Sequence, residues 1–328
     1  MAMQYFNILV TFFLLLGFPF HPTVDGQLST IAPPQSWEIS GMRDTNGEDT
    51  TSMTPVLVNS TELYRTMFGF YTTDGGHSFI LSVQFLGAQA QVIWSANPDN
   101  PVSRNAILNF TRGGDLLLHE ADGAIIWATD TNSLSVAGMK LDDLGNLVLF
   151  NQNNTTVWQS FDHPTDTLVL GQSLCRGNNL SAKTLSTKWP GSRVYLSAEL
   201  DGLQYSFKPA AYTQLFQATT TSTNATPTCY AFVNGSFGFP YKIFSIPLAE
   251  SVQLMRLESD GHLRVYEMGI PHLELRMVLD VLSSVMNFCD YPVACGDYGV
   301  CSYGQCSCPS SNYLGSKVNG IQMLGAYP

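Results

Sequence analysis

Charge is scarce in this chain of 328 residues, and what there is leans one way. Charged residues make up 12% of it, with 15 Lys and Arg against 26 Asp and Glu, a net charge of −11. With no basic stripe to neutralise phosphates, electrostatic nucleic-acid binding is excluded, as is adsorption to an acidic membrane surface. Helical periodicity is missing too, since no 12-residue stretch from Leu63 to Leu170 carries an apolar stripe at helical spacing. After Phe20 no segment reaches the roughly 18 consecutive apolar residues of a membrane span. Phosphate-loop, His-Glu-x-x-His and calcium-loop signatures are absent ahead of Cys289, so no cofactor or metal is expected. There is no Gly-x-Ser-x-Gly elbow either.

What is present points outside the cell. The apolar run Ile8–Phe20, ending before Val24-Asp25-Gly26, has the length of a signal-peptide core; cleavage after Gly26 would leave Gln27 as the new start. The run departs from the usual pattern in having no Lys or Arg before it. Seven Asn-x-Ser/Thr sequons stand at Asn59, Asn109, Asn153, Asn154, Asn179, Asn224 and Asn234, glycosylation candidates of which the adjacent Asn153 and Asn154 are not both modified. Five of seven cysteines crowd into Cys289–Cys308, a usage that fits an oxidising compartment.

The chain repeats itself. Gly114-Asp115-Leu116-Leu117-Leu118 followed by Ile125-Ile126-Trp127 recurs as Gly145-Asn146-Leu147-Val148-Leu149 followed by Thr156-Val157-Trp158. The offset to the tryptophan is 12 residues both times, and a weaker copy ends at Val92-Ile93-Trp94. Trp94, Trp127 and Trp158 are thus 33 and 31 residues apart, a repeat period. Short apolar runs such as Phe79–Phe85, Ile107–Phe110 and Asp115–His119 alternate with Gly, Asn and Asp turns, which predicts strands throughout. About 32 residues per repeat accommodates four short strands, hence three small sheets sharing one core filled by the tryptophans.

Two long signatures then match a known family: Trp94-Ser95-Ala96-Asn97-Pro98-Asp99-Asn100-Pro101-Val102, and Trp158-Gln159-Ser160-Phe161-Asp162-His163-Pro164-Thr165-Asp166-Thr167. With the Gly-Asn-Leu-Val-Leu strand, they resemble the bulb-type mannose-binding lectin domain of plant S-locus glycoproteins and S-domain receptor-like kinases. The resemblance covers residues 55–170 and implies an all-β β-prism II of three four-stranded sheets. It implies a second, degenerate lectin-like β domain over 171–285, where Met255–Tyr266 repeats the strand rhythm of Leu141–Phe150. A leader at 27–54, with a strand at Ser36–Ile39, is expected to drape over the first domain.

Cys175 and Cys229 could bridge within the second domain, a loop closure that stabilises by roughly 4 kcal/mol. The spacing Cys289-x5-Cys295-x5-Cys301-x4-Cys306-x-Cys308 contains no His and is poor for zinc; it resembles a partial epidermal-growth-factor-like module over 286–308. By that resemblance Cys289 pairs with Cys301 and Cys295 with Cys306, which leaves Cys308 without a partner and a disulfide-linked homodimer as one outcome. The segment 309–328 is expected to be an unstructured tail. The family's later apple-type module, transmembrane helix and kinase are not legible here; a piece of a receptor and a shorter secreted form both stay open.

The family's mannose motif, Gln-x-Asp-x-Asn-x-Val-x-Tyr, falls on Asp142, Leu144, Asn146, Val148 and Phe150. Only Asn146 and Val148 match. Leu144 loses a carboxylate acceptor and Phe150 a hydroxyl, and each missing charge-assisted hydrogen bond is worth roughly 1.5–3 kcal/mol. The copies Thr111, Gly113, Asp115, Leu117, His119 and Glu258, Asp260, His262, Arg264, Tyr266 are no more intact. Ser160, Asp162, His163 and Asp166 include the residue types of a hydrolytic triad, but within one loop, where they cannot converge from separate elements. The chain is therefore expected to be a non-enzymatic recognition ectodomain with a glycan, protein or peptide partner at the cell surface or wall; a functional mannose-binding lectin is the alternative.

Overall fold

The computed structural model describes residues 30–39, 53–61, 64–72, 74, 76–184, 193–208, 212–217, 229–239, 243–269, 274–296 and 299–307. The signal-peptide segment, most of the 27–54 leader, the Asn224 sequon, Cys308 and the 309–328 tail lie outside the described residues.

Apart from three short 3₁₀ turns, every regular element described is a strand, in keeping with the expected all-β class. The first three-sheet unit begins with Met53–Ser60, Arg65–Tyr71, Ile80–Leu86 and Gln91–Ser95, hydrogen-bonded in chain order. Its second sheet is Gln35–Glu38, Ile107–Phe110, Leu116–His119 and Ile125–Ala128. Its third is Thr30–Ile31, Val136–Leu141, Leu147–Asn151 and Thr156–Gln159. The stretch read as a draping leader thus contributes edge strands: Thr30 pairs with Lys140, and Trp37 with Leu108.

Each sheet is too small to bury its own apolar face, so the three close on one core. Phe68, Phe70, Phe85 and Phe110 are fully buried there, with Leu108, Leu116, Leu118, Leu147 and Leu149. The three tryptophans meet edge to face, with ring centroids 5.8, 5.9 and 5.9 Å apart and interplanar angles of 69–72°. That geometry suits the aromatic quadrupole and repeats the threefold arrangement of the sheets. Trp94 pairs with Val83, Trp127 with Leu118 and Trp158 with Leu149, each immediately before a β-bulge in its hairpin. A bulge bends a strand and sharpens its twist, so one irregularity repeated three times aims the rings at the common axis.

The second unit copies this topology. Asn179–Lys183, Arg193–Ala198, Gly202–Lys208 and Tyr212–Gln217 form its contiguous sheet. Ser173–Cys175 joins Cys229–Val233, Ser236–Phe239 and Phe244–Ser245; Thr167–Val169 joins Gln253–Leu257, Leu263–Gly269 and Glu274–Asp280. Two lone strands precede a four-strand meander in both units, then each is completed by a three-strand meander in reverse order. Thr167–Cys175 is therefore to the second unit what Thr30–Glu38 is to the first. Leu279, paired with Val265 ahead of a bulge, stands where the first unit has tryptophan.

The two units share apolar contacts, because Val169, Leu254 and Met268 pack into the first core. Polar contacts reinforce the seam. Asn178 Nδ2 donates to the Asp162 carbonyl at 2.7 Å and Gln172 Nε2 to the Phe161 carbonyl at 3.0 Å, while Trp94 Nε1 holds the loop leading into the second unit through the His163 carbonyl at 2.8 Å. Arg256 reaches across with Nη2 to the Val92 carbonyl at 2.7 Å, while its Nε donates to Thr167 Oγ1 at 3.0 Å within its own sheet. Arg193 and Lys183 both approach Asp99. Beyond the second unit, Val300–Ser302 and Gln305–Ser307 form a small hairpin.

Candidate functional site

The strand carrying the degenerate sugar motif starts in a tight turn. Asp142 Oδ1 accepts the backbone N–H groups of Leu144 at 3.0 Å and Asn146 at 2.8 Å, and Gly145 sits at φ +80°. A Cβ on Gly145 would stand 2.5 Å from Ile93 Cδ1. Glycine is favoured there by the left-handed backbone, and an added Cβ would also have to push the Ile93 side-chain tip aside. Burial raises the Asp142 carboxyl above the usual range against those two N–H groups, and neighbouring Asp143 adds to the rise.

Asn146, the position that would address a sugar, points into the protein. It is buried. Its Oδ1 accepts Ser160 Oγ and the Phe161 N–H, both at 3.2 Å, and its Nδ2 donates to Gln159 Oε1 at 2.9 Å. Ser160 Oγ in turn accepts the Leu147 N–H at 3.0 Å. This cluster ties the start of one strand to the segment leaving Trp158. Val148 is buried, and Phe150 packs on Gly138 with the Lys140 ammonium over its ring. Of the motif positions, Asp142 and Leu144 line an open depression, together with Thr30, Asn59, Lys140 and Asp143.

The upstream repeat does the same thing with other side chains. Asp115, equivalent to Asn146, is buried and accepts Thr129 Oγ1 at 2.7 Å and the Thr131 N–H at 3.1 Å. In the first sheet the direction reverses: Asn97, beyond Trp94, accepts the Leu81 N–H at 2.8 Å. The post-tryptophan signatures therefore hold loops down. Ser160 and Asp162 belong to these fastenings, and His163 stacks on Trp158 with centroids 5.2 Å apart. Sequence reasoning missed this use of Asn146 and Asp115, although their shared offset from Thr129 and Ser160 was a usable signal.

In the second unit, Tyr266 donates to Glu258 Oε1 at 2.7 Å, and burial with that bond pushes its pKa up to about 12. Arg264 grips Asp260 with two nitrogens at 2.8 and 3.2 Å. His262 Nδ1 lies 2.5 Å from Asp280 Oδ2 and its ring stacks on Tyr291 at 3.8 Å. These five motif positions also bind one another and their surroundings.

Cys175 is bonded to Cys229, Cys289 to Cys301 and Cys295 to Cys306. Sulfurs of Cys295, Cys301 and Cys306 lie within 4.8 Å of one another, but each belongs to a disulfide, and zinc needs thiolates. Among the sequons, Asn153, Asn154 and Asn234 are exposed, while Asn59, Asn109 and Asn179 are half-buried at strand positions. Among the described residues no helix is long and apolar enough to cross a membrane.

Known proteins resemble this chain over different parts of its length. The family profile described as D-mannose binding lectin matches residues 91–190. The epidermis-specific secreted glycoprotein EP1 of Daucus carota is 30% identical over 67% of this chain and 68% of its own length. EP1-like glycoprotein 2 of Arabidopsis thaliana is 33% identical over 68% of this chain and 58% of its own. A G-type lectin S-receptor-like serine/threonine-protein kinase of Arabidopsis thaliana is 27% identical over 76% of this chain, which spans 30% of the kinase's length. A solved structure, of monomeric monocot mannose-binding lectins from Gastrodia elata, matches 33% of this chain and 96% of its own at 20% identity and a TM-score of 0.22. The chain belongs to the plant bulb-type lectin-domain proteins that include the EP1-like glycoproteins and the G-type lectin S-receptor-like kinases.

Proposed function

We propose that this protein is an extracellular, non-enzymatic recognition glycoprotein whose first β-prism serves as a scaffold and not as a mannose pocket. The observation that carries this reading is the inward amide of Asn146, with three of its four hydrogen-bonding capacities used by Gln159, Ser160 and Phe161. Leu144 and Phe150 compound it by removing the acid and the hydroxyl of the family motif. The carrot relative's name includes "secreted glycoprotein", which favours the extracellular assignment along with the sequons and cysteine bridges. Partners of a protein or peptide nature would be met on loops and outer sheet faces at the cell surface or wall.

The test is a glycan array probed with the secreted protein and with the double variant Leu144→Asp/Phe150→Tyr. Neither is expected to bind mannose above background, because restoring the acid and hydroxyl leaves the Asn146 amide facing inward. Mannose-inhibitable binding by the unmodified protein would establish the alternative, a working mannose lectin, and end the scaffold reading.

A further inference from the structure

We infer that Asn59 carries an N-glycan whose first sugars lie in the depression beside Asp142 and Asp143, so that the first prism's sugar-motif surface is occupied by the protein's own glycan. The inference rests on the extracellular reading and goes beyond it by naming the occupant and its point of attachment.

Asn59 lies near the end of the Met53–Ser60 strand in the sequon Asn59-Ser60-Thr61, the form a glycosylation acceptor requires. Its side chain is on the wall of the depression formed with Thr30, Lys140, Asp142, Asp143 and Leu144. Nδ2, the atom that is glycosylated, donates to Asp143 Oδ1 at 2.9 Å. This contact joins residues 84 apart in sequence, so the fold places the acceptor nitrogen against the motif surface.

In the transfer, Asn59 Nδ2 attacks the anomeric carbon C1 of a lipid-pyrophosphate-linked oligosaccharide and displaces the lipid pyrophosphate. The Nδ2–C1 bond forms and the C1–O bond to pyrophosphate breaks. The lipid pyrophosphate leaves with that electron pair, and one amide proton goes to solvent. The second amide N–H survives and can still donate to Asp143. The sugar replaces the other hydrogen on the same nitrogen and so starts within reach of the depression. Carboxylates of Asp142 and Asp143 accept hydrogen bonds from sugar hydroxyls, and the exposed Leu144 side chain offers an apolar patch for ring carbons.

A site in which only two of five motif positions match is too weak to hold free monosaccharide, but it need not be strong for a tethered one. A short link supplies an effective concentration on the order of millimolar. The attached glycan therefore outcompetes dilute glycans from outside, consistent with recognition elsewhere on the molecule.

The experiment is glycopeptide mapping of the protein secreted from plant cells. It is followed by peptide-N-glycosidase release from the native unmodified protein, Asp143→Asn and Asp143→Ala. Asp143 is exposed, and a thermal melt of each variant checks that it has folded. Asn59 is expected to be occupied. Its release should be about tenfold faster in Asp143→Ala, the scale of one charged hydrogen bond. Asp143→Asn, which keeps an oxygen acceptor, should fall between, and release at the other occupied sequons should not change. Bare Asn59 in a chain glycosylated elsewhere, or equal release rates across the three proteins, overturns this inference alone. A chain without glycan at every sequon overturns it together with the extracellular reading.

Discussion

Asn146 shows how one residue can keep a family's motif letter while serving a different purpose. Replacing it with Ala leaves the Phe161 N–H and Gln159 Oε1 without this partner, and an unsatisfied group costs about 1–3 kcal/mol when fully buried, which is an upper bound at these half-buried positions. Asn146→Asp should cost less, because Asp115 already fills the equivalent place by accepting a hydroxyl and a backbone N–H. Urea denaturation of the two variants checks the order. Tyr266 gives a pH signature. Its folded pKa is raised from 10.0 to about 12 by burial and the Glu258 contact. The phenol's contribution is therefore fully present below pH 10 and fades as pH rises toward 12. Thermal melts of Tyr266→Phe should accordingly fall less steeply than those of the unmodified protein above pH 10.

At the scale of elements, the recurrent unit is a glycine turn, a strand with a bulge, and the strand that follows. Gly114, Gly145 and Gly261 open it with φ of 80–89°. Gly145→Ala is expected to destabilise by about 1–3 kcal/mol, since it combines a left-handed alanine with a Cβ 2.5 Å from Ile93. A lowered denaturant midpoint with unchanged slope would register it. This unit was legible because Asp115 to Trp127 and Asn146 to Trp158 share an offset, and the repeated runs Gly145–Leu149 and Thr156–Trp158 overlap the strands Leu147–Asn151 and Thr156–Gln159. Thr30–Ile31 was not legible. A two-residue strand has no periodicity to detect, and its partner Lys140 lies far along the chain. One reason the second unit read only faintly is that Leu279 stands where the equivalent sheet of the first carries Trp158.

For the molecule as a whole, the two prisms are fastened by buried apolar side chains and by Arg256, which Thr167 holds from its own sheet and which reaches across to the Val92 carbonyl. Arg256→Ala should strip the Val92 carbonyl of this donor and weaken the seam more than either core. Calorimetry is expected to show the unfolding endotherm broadening or splitting as the units lose cooperativity. An unchanged, single sharp transition would mean that Val169, Leu254 and Met268 suffice to couple them.

Sequence by itself determined the strand class, the threefold tryptophan repeat and the loss of acid and hydroxyl from the sugar motif, because these depend on residue type and local spacing. Tertiary structure decided the rest. It recruited Thr30–Glu38 and Thr167–Cys175 as edge strands of sheets completed much later in the chain. It turned Asn146 inward and brought Asn59 against Asp143. Edge pairing and side-chain direction at a turn depend on groups distant in sequence, and only closure of the prism brings those groups together.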